Sequence, residues 1–426
     1  MRVLVVGGGG REHALVNLLA ESPLVEDLLA APGNAGIATM ARCVPVYATD
    51  ISGIVELVGR EGIDLTVVGP EAPLVAGLAD ELTARGKTVF GPSAAAARIE
   101  GSKAWAKDLM VRHGIPTARA GAFTELDPAV AFLDELGGRA VVKADGLAAG
   151  KGVTVAGDRA EAVAALEDAL IRGALGGAGS TVLVEEVMEG PEVSAFALCD
   201  AETLVPFGLS RDFKRVGEGD TGPNTGGMGA LSPVPSVDRE TELRIWRDTV
   251  IPTFEALREE GSGYRGLLYA GLMLTPDGPK VVEFNCRFGD PETEAVIPRL
   301  RTDLAELLML CATDRLVDAK VDWTDEAAVT VVLTSGGYPG PYTTGFEIHG
   351  LAEAAATEGV TVFHSGTAEW DGTVVTAGGR VLALSALGPT LRDARARVYG
   401  ACGRISFDGM QFRNDIAATA AEEESR

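Results

Sequence analysis

Short apolar runs that alternate with helix-like stretches restrict the fold of this chain more than any other feature. Residues 3–6, 28–31, 65–68 and 88–90 are such runs. Apolar runs of this length without polar alternation are typical of strands that are buried on both faces of a parallel sheet. The first hundred residues are therefore predicted to form an α/β unit with βαβ connections.

The composition excludes several classes of protein. The chain has 426 residues, 46% of them hydrophobic, which is enough for three or four domains. Its net charge of -24 argues against partners such as nucleic acid or an anionic membrane surface. Its five cysteines are odd in number and never in C-x-x-C spacing, and no apolar segment reaches 18 residues. We therefore predict a cytoplasmic protein without disulfides, a zinc site, a signal peptide or a membrane span.

A glycine-rich turn, residues 7–10, follows the first apolar run. Glycines between a strand and a helix let backbone amides approach a phosphate at the helix N-terminus. The dinucleotide-binding pattern G-x-G-x-x-G is incomplete because its third position is Glu12. A smaller phosphate-bearing ligand is favoured over NAD, and a turn that serves only tight packing remains an alternative.

Two further loops, residues 32–36 and 69–74, follow strands of the same predicted sheet. Open α/β sheets bind ligands at the carboxyl ends of their strands, so the three loops are expected to form one pocket. Glu71 is the only acidic residue of these two loops. It could hold an amine or a ribose hydroxyl, or it could be a solvated carboxylate.

The second part of the chain begins with a predicted helix over 105–112. Residues 144–152 then link two predicted strands, and together with Lys143 before them they contain three glycines and two lysines. They are expected to form a flap over a polyphosphate, although a flexible hairpin remains possible and the Walker A spacing is absent.

Residues 181–194 could offer backbone groups to adenine, or form an ordinary acidic hairpin. Residues 212–229 are predicted to be a long functional loop.

A predicted hairpin, residues 267–274 and 280–285, ends in a candidate metal site. Glu283 and Asn285 are two residues apart on a strand, so their side chains share one face. A carboxylate and an amide oxygen suit Mg²⁺, which takes its other ligands from phosphates and water. Arg287 continues that face and could pair with negative charge that the metal does not neutralise. Taken alone, the Glu-x-Asn pattern favours a polar strand end over a metal site.

Beyond residue 318 the pattern changes to that of an α+β domain. Strands are predicted near 328–333, 360–364, 373–377 and 380–387, and a helix at 389–400.

Six motifs together resemble the phosphoribosylamine-glycine ligase family of ATP-grasp enzymes. They cover the chain almost end to end, in the family's order. They are GGREHA at 9–14, PGNAG at 32–36, VGPEAPL at 68–74, KADGLAAGKG at 143–152, DTGPNTGGMG at 220–229 and RFGDPE at 287–292.

The resemblance implies an N-terminal parallel-sheet domain, a two-part ATP-grasp domain and a small C-terminal α+β domain. The implied boundaries are 1–100 for the first, 101–294 for the second with a flap subdomain at about 115–192, 295–327 for a connecting helix and linker, and 328–426 for the last. The implied reaction ligates glycine to 5-phosphoribosylamine with ATP, through glycyl phosphate, in the second step of purine synthesis. Mg²⁺ or Mn²⁺ is the implied cofactor, and a monomer or weak homodimer is expected.

The resemblance also assigns site residues by motif. The implied catalytic residues are Lys143, Asp212, Lys214 and Arg287. ATP is assigned to Lys103, Lys143, Gly146, Gly150, Lys151, Gly152, Glu185, Met188 and Glu192, with Glu185 and Met188 acting through their backbone. The other substrates are assigned to Gly9, Gly10, Arg11, Asn34, Glu71, Gly227, Met228 and Arg287, and the metal to Glu283 and Asn285.

Two rival functions remain at this stage. A sister ATP-grasp enzyme, such as a carboxylase or a formate-using purine enzyme, would share the ATP residues. A catalytically idle ATP-binding protein would share the fold, but the presence of Lys143, Glu283, Asn285 and Arg287 argues against it.

Overall fold

The N-terminal sheet has the predicted parallel arrangement. A computed structural model describes residues 1–147, 152–174 and 176–424. The first strands are β1 (Arg2–Gly7), β2 (Asp27–Pro32), β3 (Arg42–Cys43), β4 (Leu65–Val68) and β5 (Val89–Phe90). They pair in parallel in the order β3-β2-β1-β4-β5. Only the two-residue strand β3 was not predicted.

Helices cover both faces of this sheet, as its two-sided burial requires. They are α1 (Gly10–Glu21), α2 (Ile51–Glu61), α3 (Glu71–Val75), α4 (Leu78–Thr83) and α5 (Ala94–Gly101). Leu4 and Val6 of β1 pack into one hydrophobic cluster, whereas Val3 and Val5 pack into another. Successive side chains of a strand point to opposite faces, so the apolar run of β1 serves both layers.

The next part of the chain, over residues 120–185, forms a small unit with a sheet of its own, which we call the lid. Helix α6 (Lys103–Arg112) leads into it, and Ser102 caps that helix by accepting a hydrogen bond from the Trp105 amide. The lid consists of β6 (Ala120–Phe123), α7 (Leu126–Glu135), β7 (Ala140–Ala144), β8 (Val153–Ala156), α8 (Arg159–Leu170) and β9 (Val182–Glu185). Its strands form an antiparallel sheet in the order β6-β9-β7-β8, with a hydrophobic cluster of its own.

The remainder of the described chain is built around one large sheet. The first strands of this part of the chain, of which β12 and β13 pair only with each other, are β10 (Glu192–Cys199), β11 (Leu204–Asp212), β12 (Arg215–Gly217), β13 (Thr221–Asn224), β14 (Gly229–Ser232), β15 (Gly266–Thr275) and β16 (Gly278–Asn285). Its last strands are β17 (Ala327–Thr334), β18 (Val360–His364), β19 (Thr367–Trp370), β20 (Thr373–Thr376) and β21 (Arg380–Gly388). The helices are α9 (Arg239–Ile245), α10 (Ile251–Glu259), α11 (Glu292–Val296), α12 (Leu304–Ala312), α13 (Leu351–Ala355), α14 (Leu391–Cys402) and α15 (Ala418–Glu423).

Eight of these strands form a single antiparallel sheet. Its order is β16-β15-β10-β11-β14-β17-β21-β18, so the C-terminal strands extend the sheet that carries the candidate metal ligands. The junction is the pairing of β14 with β17. The predicted α/β and α+β fold class is confirmed, but the sequence patterns did not reveal this continuity.

The segment 212–229, which we predicted to be a long loop, contains strands. Strands β12 and β13 form a small hairpin within it, and β14 begins at its end. Short polar strands with Gly and Pro lack the β-branched pattern that predicts strands. In the described parts of the chain, no helix is both long enough and apolar enough to cross a membrane.

Candidate functional site

A cavity of about 430 Å³ lies where the N-terminal sheet, α6, the lid and the large sheet meet. Arg11 and Glu71 reach it from the first turns of α1 and α3, and Lys143 reaches it from the lid. Glu283 and Asn285 reach it from β16. Residues predicted from distant parts of the sequence therefore line one space.

Glu283 and Asn285 stand at the end of β16 and line the cavity. They pair with Gly271 and Tyr269 of β15, so alternate residues of the strand reach the same wall. Burial would raise the pKa of Glu283, but nearby cations, Lys214 foremost, hold it below its usual value. This ionised carboxylate and the amide oxygen are hard donors of the kind that Mg²⁺ prefers.

The donor set fits a metal shared between protein and ligand. Among the described residues, no group of three or more His, Cys, Asp and Glu side chains could hold a metal ion by itself. Two protein oxygens would leave most coordination positions to phosphates and water, as is usual for Mg²⁺.

Lys214 lies between three carboxylates, two of which, Asp212 and Glu283, line the cavity. Its Nζ is 2.9 Å from Glu192 Oε2, 3.7 Å from Glu283 Oε1 and 3.9 Å from Asp212 Oδ2. Burial raises the pKa of Asp212 to about 7, against the opposing effect of the Lys214 ammonium. Four predicted site residues thus form one charged group, and Asp212 can exchange a proton near neutral pH.

A second charged group joins the lid to α6. The Lys143 ammonium is 2.8 Å from Glu185 Oε2 and donates to the Val282 carbonyl, also at 2.8 Å. Lys107 Nζ is 3.1 Å from Glu185 Oε1. Burial would raise the pKa of Glu185, but the two lysines lower it, so the carboxylate is ionised. Lys107 was not predicted from the sequence.

The other residues assigned to ATP are placed less uniformly. Lys103 Nζ donates to the Gly146 carbonyl at 3.3 Å, and Lys103 and Gly152 line the cavity. Met188 lies in the segment after β9, outside the cavity wall. Gly150 and Lys151 fall outside the described residues.

Arg287 is held between two carboxylates. Its guanidinium is 3.1 Å from Glu71 Oε2 and 3.0 Å from Glu100 Oε1. Burial opposes ionisation of Glu71, but Arg287 overcomes that effect and lowers its pKa to about 2. Arg287 therefore lines the cavity with its charge already compensated, and Glu71 is fixed in place instead of being a free loop carboxylate.

The N-terminal glycine turn is filled by the side chain of Glu12. The Glu12 carboxylate accepts a hydrogen bond from the Gly9 amide at 2.6 Å and another from Arg11 Nε at 2.6 Å. A Cβ atom added at Gly7 would lie 2.6 Å from the Glu12 side chain. Arg11 lines the cavity, but the Gly9 amide is occupied by a carboxylate and not left open for a phosphate.

Asn34 and part of the glycine-rich segment 225–228 contact other groups of the protein and do not line the cavity. Asn34 donates to the carbonyls of Gly8 and His364 and accepts from two amides of its own loop. Met228 is buried in the core, and Gly227 packs against Pro291. Their neighbours Thr225 and Gly226 line the cavity instead. Substrate binding stays a prediction for these residues, namely Gly9, Gly10, Asn34, Gly227 and Met228, as it does for Arg11, Glu71 and Arg287.

Several cavity residues were missed by the sequence reasoning. They are Glu100, Lys107, Asp290, Glu292, Tyr338 and Arg380. Asp290 and Glu292 belong to the quoted motif 287–292, so a signal existed for them. Tyr338, in the turn after β17, and Arg380, at the start of β21, also reach the cavity, and Tyr338 Oη accepts from the Gly226 amide at 3.0 Å. No local pattern could connect residues so far apart in the chain.

Models of one protein family match nearly the whole chain. The N domain of phosphoribosylglycinamide synthetase matches residues 1–100, its ATP-grasp (A) domain matches 101–293, and its C domain matches 328–419. The three matches follow one another in the order of the fold described above.

Curated relatives and solved structures agree with these matches. Proteins named phosphoribosylamine–glycine ligase from Salmonella typhimurium and Mesorhizobium japonicum are 49% and 50% identical, over 100% of this chain and 100% and 99% of theirs. The crystal structure of that enzyme from Thermotoga maritima has a TM-score of 0.84 at 32% identity, covering 98% of this chain and all of the other. A biotin carboxylase domain from Hydrogenobacter thermophilus, with a TM-score of 0.74 at 17% identity and coverage of 99% and 98%, shares the fold.

Proposed function

Because the chain belongs to the phosphoribosylglycinamide synthetase family, we propose that it ligates glycine to 5-phosphoribosylamine at the expense of ATP. The products are glycinamide ribonucleotide, ADP and phosphate, and the reaction is the second step of purine biosynthesis. The observation that carries the proposal is a full-length match to phosphoribosylamine–glycine ligases at about half identity.

The cavity supports this function through the kinds of groups that it brings together. Phosphoryl transfer needs positive charge around the transferred phosphate and little covalent chemistry from the protein. Lys103, Lys143 and Lys214 line the cavity together with Glu283 and Asn285. We propose that the first two lysines face the ATP phosphates.

Mg²⁺, or Mn²⁺ in its place, fits the oxygen pair of β16. When bound there, the ion would neutralise phosphate charge and polarise the γ-phosphoryl group. Glu283 and Asn285 would be its protein ligands. Replacing Mg²⁺ by Mn²⁺ in the assay, at matched free-ion concentrations, measures which ion the pair prefers.

We propose that the reaction proceeds in two displacement steps. A glycine carboxylate oxygen attacks the γ-phosphorus of ATP, which forms glycyl phosphate and releases ADP. The amine of phosphoribosylamine then attacks the carbonyl carbon, the C–O bond to phosphate breaks, and the amide nitrogen loses a proton. Both steps build negative charge, which positioned cations stabilise.

The protein's own residues divide this work in our proposal. Arg11 and Glu71 contribute to the phosphoribosylamine end of the cavity, and Arg287 lies between that end and β16. Asp212, with a pKa near 7, suits acceptance of the proton that the amine gives up. Lys214, which lies within 4 Å of both Asp212 and Glu283, would reduce the repulsion between these two carboxylates.

The deciding experiment is an assay of glycine-dependent ADP release. Purified protein is incubated with ATP, Mg²⁺, phosphoribosylamine and, in parallel samples, glycine, formate or bicarbonate. We expect ADP release with glycine only, together with one glycinamide ribonucleotide per ADP. Release with formate or bicarbonate would indicate a sister enzyme, and no release with any acceptor would indicate an idle ATP-binding protein.

The glycyl phosphate step has a test of its own. With glycine labelled by ¹⁸O in its carboxylate, one labelled oxygen must be transferred to the released phosphate, because the C–O bond breaks in the second step. Mass analysis of the phosphate measures this. Unlabelled phosphate beside a correct product would refute glycyl phosphate while leaving the ligase activity intact.

Finer features of the protein are also part of the proposal. The matched family ranges support a division into 1–100, 101–294 with a lid at about 115–192, 295–327 and 328–426. All five cysteines are free, which fits the reducing cytoplasm. A monomer or weak homodimer is expected, and light scattering across a range of concentrations would distinguish them.

A further inference from the structure

Lys107 is a buried cation of the cavity to which the proposed function gives no role. It lies one helical turn after Lys103 on α6, so both side chains project from the same face of the helix. Lys107 lines the cavity with about nine-tenths of its side chain buried. A buried charge is costly unless it is paired, and Lys107 is paired with Glu185.

The two oxygens of Glu185 are divided between two lysines. Oε1 is 3.1 Å from Lys107 Nζ, and Oε2 is 2.8 Å from Lys143 Nζ. Side chains of all three residues are at least nine-tenths buried. Lys143 and Glu185 alone would form a neutral pair, whereas the three residues together carry one net positive charge. In a poorly solvated site that remaining charge acts strongly on a nearby phosphate.

The hydrogen bonds of the two lysines differ in a way that separates their roles. A lysine ammonium has three N–H donors. Lys107 Nζ lies near three acceptors, namely Glu185, Thr117 Oγ1 at 2.7 Å and the Ala118 carbonyl at 3.4 Å. Among the described residues Lys143 meets only two, Glu185 and the Val282 carbonyl. Lys143 therefore keeps a donor for a ligand in the cavity, and Lys107 does not.

We propose that Lys107 is a positioning residue for ATP, which acts by neutralising half of the charge of Glu185. Lys143 then keeps its net charge and its third N–H for a phosphate, while Glu185 holds it in place. This inference rests on the proposed function only in taking ATP phosphates as the ligand of Lys143. Lys107 itself does not touch the nucleotide.

The test is a charge-compensated pair of substitutions, read by equilibrium binding of ATP with Mg²⁺. Lys107→Met leaves a neutral Lys143–Glu185 pair, and we expect ATP to bind about tenfold or more weakly, since 1.4 kcal/mol of lost attraction is tenfold. Adding Glu185→Gln removes the carboxylate and leaves Lys143 with its charge. The double variant should therefore return to within about threefold of the unaltered protein.

Controls separate this role from a structural one. Lys320→Met removes the same charge from an exposed site and should leave ATP binding unchanged. In turnover, Lys107→Met should raise KM for ATP and leave KM for glycine unaltered. If the double variant binds ATP as weakly as Lys107→Met, or if Lys107→Met binds normally, the proposal is overturned.

A further single variant covers the case in which Lys107→Met does not fold. Lys107→Gln removes the charge but keeps an N–H donor toward Glu185, so ATP should again bind about tenfold more weakly than to the unaltered protein. Normal binding by this variant would contradict the proposed balance of charges. Because these readouts use ATP binding, they stay interpretable even if the ligase assay were to give another acceptor.

Discussion

At the scale of single residues, charged side chains in and beside the cavity share partners, either one carboxylate between two cations or one cation between several carboxylates. Glu185 serves two lysines, and Lys214 lies within 4 Å of three acids. Such sharing keeps the charges buried without cancelling all of them, and it leaves Lys143 a hydrogen-bond donor for a ligand. The protonation states of these residues should therefore respond strongly to substitution.

Glu283→Gln tests the candidate metal ligand with almost no change in size. The substitution removes the one ionised carboxylate of the Glu283–Asn285 pair, so turnover should fall by about 100-fold or more, since even indirect partners of metal ligands are worth about 10–100-fold. The measurement is kcat/KM at saturating Mg²⁺, with thermal unfolding as a check of the fold. Glu255→Gln on exposed α10 is the matched control. Near-normal turnover by Glu283→Gln would remove Glu283 from the metal site.

Asp212 should make stability depend on pH. Its pKa is about 7 in the folded protein and near 3.8 as a free side chain. Between these values the folded protein holds a proton that the unfolded chain has lost, so stability falls as pH rises from about 4 to 7. The cost is at most about 4 kcal/mol. Urea unfolding at pH 5 and pH 8 measures the free energy of unfolding at each pH. Its decrease between the two should be smaller in Asp212→Asn than in the unaltered protein, and an equal decrease would show that another group holds the proton.

At the scale of elements, the beginning of α1 shows how a motif read as a ligand loop also serves packing. A Cβ atom at Gly10 would lie 2.6 Å from Ser365 Oγ and would also overlap Glu294 Oε1. Both neighbours belong to other parts of the chain, α11 and the turn after β18. The glycine therefore permits the N-terminal sheet to meet the large sheet.

Gly10→Ala should accordingly destabilise the protein by about 1–3 kcal/mol through overpacking. Gly59→Ala is the matched control, because Gly59 lies inside α2 with no atom within 4 Å of an added Cβ. That change should stabilise by about 0.5–1 kcal/mol, through the ordinary helix preference for Ala over Gly. Guanidinium unfolding measures both. Equal effects of the two substitutions would refute the packing role of Gly10.

The elements also show what could be predicted from sequence. Strands at 65–68 and 360–364 were predicted to the residue, because buried strands leave a continuous apolar run. The placement of Glu283 and Asn285 on one wall followed from the two-residue period of a strand. The β14–β17 pairing and the Lys107–Glu185 ion pair join segments far apart in the chain, so no local pattern could indicate them. Strand β13 consists of Thr, Gly, Pro and Asn, which predict a turn.

At the scale of the whole molecule, some parts of the structure share one continuous sheet, whereas the lid has a sheet of its own. The large sheet passes without interruption from the strand of the metal ligands to the C-terminal strands. Arg413, almost completely buried, ties the C-terminal part to the β12–β13 hairpin through Asp220 at 2.7 Å and the Arg215 carbonyl at 3.0 Å. The lid has its own sheet and its own hydrophobic cluster.

This inequality predicts that the lid opens separately from the rest of the protein. Its described ties to α6 and the large sheet are a few polar contacts, among them Lys107–Glu185, Lys143 to the Val282 carbonyl and an isolated bridge between Thr117 and Val281. Small, separately packed units open with lower free energy than a continuous core sheet. Amides of α7 and α8 should therefore exchange hydrogen at least about tenfold faster than those of β10 and β15.

Hydrogen exchange read by mass spectrometry tests this with and without a non-hydrolysable ATP analogue and Mg²⁺. A nucleotide between Lys143 of the lid and Glu283 of the large sheet would stabilise the closed arrangement, so exchange in α7 and α8 should slow while exchange in β10 and β15 stays unaltered. Lys143→Met should lose most of this protection, because the lid then lacks its ammonium for the phosphates. Simultaneous exchange of lid and large sheet in one cooperative event would show that the two parts unfold as one unit.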